Sequence, residues 1–187
     1  MSQHHPHHLS VEHPEFSRLP EGVEFAGPAD AAVIYELINA ESDLKKVEPE
    51  EVAEWIRTGL SVITRNASGE IVGHSGAIEV HPKFLEIRGV VVASECRGGG
   101  VAIRLQEALL AEVDRRFPDR AVYWVATDHP GSRRLIEHMG GIELSAEERD
   151  HLLRGPLASR EGSLESRDVF VRPPAGAAMQ YNGSYGE

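Results

Sequence analysis

The sequence predicts a mixed α/β (α+β) domain, with a mostly antiparallel central sheet, one parallel strand-helix-strand crossover and flanking helices. Three observations predict it. Strand-like runs follow one another from residue 60 to residue 92 with only short turns between them, which suits an antiparallel meander. A long amphipathic pattern then separates two apolar runs, 84–92 and 121–127, which suits a right-handed parallel crossover. Between the first of these runs and the helix stand Gly98, Gly99 and Gly100. That is the carboxyl end of a strand, where α/β sheets bind small ligands.

Taken in order, GVEF (22–25) reads as a short strand. GPADAAVIYELINAE (27–41) reads as a helix with Pro28 at its start and Ile34, Leu37 and Ile38 on one face. EPEEVAEWIRTG (48–59) is a second helix. Pro49 and acidic neighbours open it, Val52, Trp55 and Ile56 face inward, and Gly59 closes it. LSVITR, the turn NASG and EIVGHSGAIEV form a hairpin, and HPK leads into the strand FLEIRGVVV. Val101, Leu105, Leu109, Val113 and Phe117 recur every four residues and mark one face of a long helix. AVYWVAT has the aromatic and β-branched content of a buried strand. HPGSRRLIEHMGG is a short helix stopped by Gly140 and Gly141. Ser145 and Glu148 have capping-box spacing, so SAEERDHLLRG is one more helix, and RDVFVR is a last strand.

The 187 residues suit one folded domain, placed at 21–173. Residues 1–20 read as a flexible tail; five of the ten histidines lie near this end, where Pro6 interrupts them, and no metal site is expected. Residues 174–187 read as a second, Pro/Gly-rich flexible tail. The net charge of -11 argues against nucleic acid as a partner, because phosphate contacts need a cationic excess. Cys96 is the sole cysteine, which rules out an internal disulfide and fits a reduced setting. With no run of about 20 apolar residues and no secretory signal pattern, the sequence predicts a cytoplasmic protein without a membrane partner.

A glycine turn entering a helix exposes N–H groups that have no acceptor within the helix, and the helix dipole makes that place attractive to an anion. Arg97 adds a charged donor beside it. The stretch lacks the lysine and hydroxyl residue of a P-loop, and Ile103 and Arg104 stand where a dinucleotide fingerprint needs glycine. A purely structural tight turn is the competing reading.

Arg97-Gly98-Gly99-Gly100-Val101-Ala102, set between EIRGVVV and a helix, resembles the Arg/Gln-x-x-Gly-x-Gly/Ala signature of the GNAT acyl-CoA N-acyltransferase superfamily. The resemblance spans residues 23 to 144 and includes the element order. It implies that Arg97 and the amides of Gly98, Gly99, Gly100, Val101 and Ala102 hold the pyrophosphate of acetyl-CoA. It also implies that Val90, Val91 and Val92 splay from the next strand and pair with the pantetheine arm, with the thioester carbonyl near the Val90 N–H. His129 and Ser132, at the start of the following helix, are further candidate cofactor contacts. The activity implied is transfer of an acetyl group to a primary amine of a small molecule or peptide by direct attack, with no metal. The family's frequent pairing makes a homodimer one expectation.

The chain departs from the family pattern where a tyrosine usually protonates the leaving thiolate, because Ile136 holds that place. A thiol pKa near 8.5 allows departure without a donor. The same gap makes a catalytically silent CoA-binding sensor the alternative, and a nucleotide or sugar-phosphate site a third reading. The amine acceptor must also lose a proton before it attacks. Glu86, on the strand leading to the glycines, and His74, on the central strand, are the candidate bases; Glu79 is a weaker one.

Overall fold

In the computed structural model the described residues are 19–41, 44–160, 164 and 167–176. They contain strands β1 (Glu24–Phe25), β2 (Leu60–Arg65), β3 (Ile71–His81), β4 (Phe84–Val92), β5 (Ala121–Val125), β6 (Ile142–Glu143) and β7 (Val169–Arg172). The helices are α1 (Ala31–Ala40), α2 (Pro49–Thr58), α3 (Val101–Arg116), α4 (Pro130–His138) and α5 (Ala146–Arg154). All seven strands join one sheet in the order β1-β2-β3-β4-β5-β7-β6. β1 to β4 are an antiparallel meander, and β4 to β5 is the parallel crossover through α3. β7 then inserts antiparallel between β5 and β6.

Alternation along the strands gives the sheet two apolar faces. Leu105, Leu109 and Val113 of α3 and Ile136 of α4 pack on one face, against Leu60, Val62, Ala77, Leu85, Ile87, Val122, Trp124 and Phe170. The other face carries two separate clusters. Ile34, Ile38, Val52 and Trp55 of α1 and α2 cover Ile63, Ile71 and Val91. Leu152 and Leu153 of α5, with Leu157 and Leu164, cover Phe84, Tyr123, Val169 and Val171. Glu86 and Arg88 lie on β4 between these two clusters.

Two local features differ from the sequence expectation. The helix expected from residue 27 begins as a 3-10 turn at Pro28–Asp30, because the Asp30 carboxylate accepts from the Gly27 N–H at 2.8 Å and pairs with Arg65 at 2.7 Å. β6 was not anticipated; two residues carry no readable alternation. The Ser145 capping box is present, with Ser145 N–H on Glu148 at 2.8 Å and Glu148 N–H on Ser145 Oγ at 3.3 Å. The histidines before residue 14 and the end after residue 176 lie outside the described residues. No helix among the described residues is long and apolar enough to cross a membrane.

Candidate active site

The glycine turn leaves β4 through a short 3-10 turn, Ser94–Cys96, and enters α3 with Gly100 as its N-cap. Gly98 and Gly100 have φ of 81° and 73°, conformations that L side chains resist. Nothing lies within 4 Å of a Cβ built on Gly98, and one on Gly99 would meet only the Cys96 carbonyl, at 4.0 Å. The turn therefore presents bare backbone to open space. The first intrahelical bond of α3 is Arg104 N–H to Gly100 C=O at 3.0 Å, so the N–H groups of Val101, Ala102 and Ile103 precede the ladder.

Two arginines brace this turn. Arg97 Nε donates to the Val92 carbonyl at 2.9 Å, and its Nη2 pairs with Glu41, just past α1, at 2.5 Å. Arg104 reaches back from α3 to the Gly99 carbonyl at 3.0 Å.

Upstream, β4 changes register. His74 of β3 faces Val91 and Gly76 faces Arg88, so Gly89 and Val90 together stand opposite Ser75, as in a β-bulge. Gly89 has φ 57°, and a Cβ there would lie 3.0 Å from both His74 Nδ1 and Ile38 Cδ1. His74 is fully buried under α1. Its Nδ1 lies 2.7 Å from the Gly89 carbonyl, which can only accept, so this nitrogen carries the proton. Ser61 Oγ is 3.4 Å from Nε2. Desolvation by burial lowers the His74 pKa to about 4, against the opposing effect of the Gly89 bond.

The parallel pairing of β4 with β5 covers only Phe84 to Glu86, ending at the rung Glu86↔Tyr123. Beyond it Val91 and Val92 pair with β3 but not with β5, Val90 stands in the bulge, and the two strands form a fork. Glu86 sits at its base. Its Oε2 accepts from Tyr123 O–H at 2.7 Å and from Arg88 Nη2 at 3.0 Å. The Arg88 guanidinium lies 5.5 Å from the Trp55 ring centroid on α2.

The remaining candidates are elsewhere. His129 caps α4, its Nδ1 accepting from the Gly131 N–H at 3.0 Å, and Ser132 Oγ accepts from the Thr127 N–H at 3.1 Å. Both side chains hold the turn from β5 into α4. Ile136 is in the core, so that helix offers no proton donor at the position. Glu79 is paired with Arg120, and Cys96 is a free thiol.

Residues 31–141 match the family model described as the acetyltransferase (GNAT) family. The chain belongs to this family. No match is found among curated proteins. Solved structures share the GNAT fold at low identity. Rv2747 from Mycobacterium tuberculosis, in complex with CoA, is 18% identical with a TM-score of 0.62, over 81% of this chain and 98% of that one. N-acetylglutamate synthase from Neisseria gonorrhoeae, complexed with coenzyme A and L-arginine, is 18% identical with a TM-score of 0.63. That match covers 81% of this chain but 32% of the synthase, so this chain spans about a third of its length. The Salmonella typhimurium protein yncA, with acetyl-CoA, is 18% identical with a TM-score of 0.56, over 66% and 80% of the two chains.

In this GNAT chain the sequence reading missed four residues that bear on the site. Arg104 was noted only as a non-glycine, although a cation on the first turn of α3 can reach the glycine carbonyls. Tyr123 and Trp55 read as core. Arg88 stands two residues from Glu86, and period-two alternation places both on one face of β4.

Proposed function

We propose that this chain transfers an acetyl group from acetyl-CoA to a primary amine by direct attack. The observation that carries the reading is an open glycine turn at the end of a strand whose pairing stops at a carboxylate. The family match and the CoA complexes of the structural neighbours support it.

Acetyl-CoA, when bound, supplies the activated acetyl group as a thioester. The amides of Gly98, Gly99, Gly100, Val101 and Ala102 face its pyrophosphate as donors at a helix N-terminus, and Arg97 and Arg104 keep the turn shaped and positive. Val90, Val91 and Val92 would offer a strand edge to the pantetheine, with the N–H of Val90, in the bulge, as the donor for the thioester oxygen. His129 and Ser132 fix the far wall through the β5–α4 turn.

Glu86, rather than His74, takes the ammonium proton, because His74 is sealed under α1 with its Nδ1–H committed to Gly89. The acceptor nitrogen then forms the C–N bond as the C–S bond breaks, and sulfur keeps that electron pair. The second nitrogen proton ends on the thiolate. Ile136 donates nothing, so departure rests on the acidity of the thiol.

The test is thermal stabilisation by acetyl-CoA together with thiol release in the presence of amines. Wild type shifts and releases thiol; Glu86→Gln keeps the shift and loses at least a hundredfold in rate. No shift at millimolar acetyl-CoA overturns the cofactor assignment. A shift without turnover on any amine favours the silent CoA-binding reading, which the buried Ile136 makes specific.

A further inference from the structure

We infer that Glu41 sets the affinity for acetyl-CoA, because its carboxylate competes with the cofactor's pyrophosphate for the Arg97 guanidinium. This rests on the cofactor part of the acetyltransferase reading. It adds a residue at the end of α1 that governs how tightly the glycine turn holds its ligand.

The argument begins with a charge that its own helix does not favour. Glu41 is the C-cap of α1, where the helix dipole leaves partial negative charge and disfavours a carboxylate. The end of α1 is held by other groups. Lys46 Nζ donates to the carbonyls of Asn39, at 2.5 Å, and of Glu41, at 3.1 Å. The Asn39 side chain clips the returning chain, accepting from the Val47 N–H and donating to the Val47 carbonyl, each at 3.1 Å. These bonds fix the Glu41 backbone. What its carboxylate then meets is Arg97 of the glycine turn, at 2.5 Å.

Arg97 is anchored without Glu41. Its Nε donates to the Val92 carbonyl at 2.9 Å, which ties the guanidinium to the end of β4. The ion pair leaves the Arg97 side chain 40% exposed and that of Glu41 22% exposed, so an anion arriving from solvent can reach the same guanidinium. A guanidinium meets carboxylate and phosphate oxygens through the same planar set of N–H groups. Glu41 therefore takes a donor that a phosphate oxygen at the turn would use. It also sets a negative charge beside a site that collects negative charge.

Two roles for the carboxylate predict opposite signs. As a competitor, its removal frees a donor and lifts a repulsion, and both changes tighten binding. As a brace, its removal lets Arg97 drift from the turn, and binding weakens. The separate anchor on Val92 and the exposure of the pair favour the competitor.

The experiment measures CoA dissociation constants by calorimetry on the full-length protein. Glu41→Gln is expected to bind CoA about threefold to tenfold more tightly than wild type at low salt, and the gain should shrink near 1 M salt, where screening acts over about 3 Å. Glu41→Asp keeps the charge and should stay within about twofold of wild type. Glu54→Gln removes one charge from the exposed pair with Arg57 on α2 and serves as the control for overall charge. Dephospho-CoA keeps the pyrophosphate and lacks the ribose phosphate, so it should show the same gain as CoA. Equal or weaker binding by Glu41→Gln, or a gain matched by Glu54→Gln, overturns the inference and leaves the cofactor reading intact. A gain seen with CoA and absent with dephospho-CoA also overturns it, because Glu41 would then act on the ribose phosphate. No binding of CoA by wild type overturns both.

Discussion

A histidine sealed between a sheet and a helix is neutral because the imidazolium would lose its hydration there with nothing to replace it. His74 meets that condition, and burial lowers its pKa from 6.5 to about 4. The unfolded chain therefore binds a proton near pH 6.5 that the folded chain refuses until about pH 4. This contribution is whole above pH 6.5 and is lost as pH falls through the window between the two values. Between pH 7 and pH 5 it amounts to about 2 kcal/mol. His74→Gln removes the titration while keeping a donor for Gly89. Urea unfolding at the two pH values should show the variant losing about 2 kcal/mol less than wild type over that interval. Equal losses would mean that the imidazole is protonated in place. The sequence left His74 open as a base because the residue type suits one; its burial depends on how α1 docks.

At the scale of the elements, three consecutive glycines turn out to be unequal. Gly98 and Gly100 occupy left-handed conformations, whereas Gly99 does not, and a Cβ on any of the three would meet nothing closer than the Arg104 guanidinium, 3.7 Å from that of Gly100. Gly98→Ala and Gly100→Ala should each cost about 1 kcal/mol in strain alone. Gly99→Ala should lie within about 0.5 kcal/mol of wild type, because it also narrows the unfolded ensemble. Urea midpoints of the three variants decide it, and a large loss at Gly99 would contradict the turn geometry. The turn and α3 were legible because their signals are local: a strand end, glycines, and an apolar residue every fourth position. The fork was not. Its base is a bond between Tyr123 and Glu86, 37 residues apart, which exists only through the register of β4 on β5. β7 reaches its place beside β5 by the same kind of long-range pairing, which periodicity does not encode.

For the whole molecule, opening the sheet between β4 and β5 makes room for a ligand and removes the backbone bonds that would hold the two halves together. On the α3 face a buried relay spans that gap. Trp124 Nε1 of β5 donates to Gln106 Oε1 of α3 at 3.0 Å, and Gln106 Nε2 donates to Ser75 Oγ of β3. Gln106 and Ser75 are fully buried and Trp124 nearly so. The relay thus ties β5 to β3 past the intervening strand, beneath the bulge opposite Ser75. Gln106→Leu keeps much of the volume but strands an indole N–H and a hydroxyl, each costing about 1–3 kcal/mol when left unpaired. We expect a loss of about 2–3 kcal/mol by urea unfolding for Gln106→Leu, and about 1 kcal/mol for Ser75→Ala. The double variant should lose less than the sum, since both changes break one shared bond. Strict additivity would mean that the two side chains act separately. Because the relay fixes where β5 stands, Gln106→Leu should also reduce the thermal shift given by acetyl-CoA, even at temperatures where the variant remains folded. An undiminished shift would assign the spacing of the fork to β7 and α5 instead.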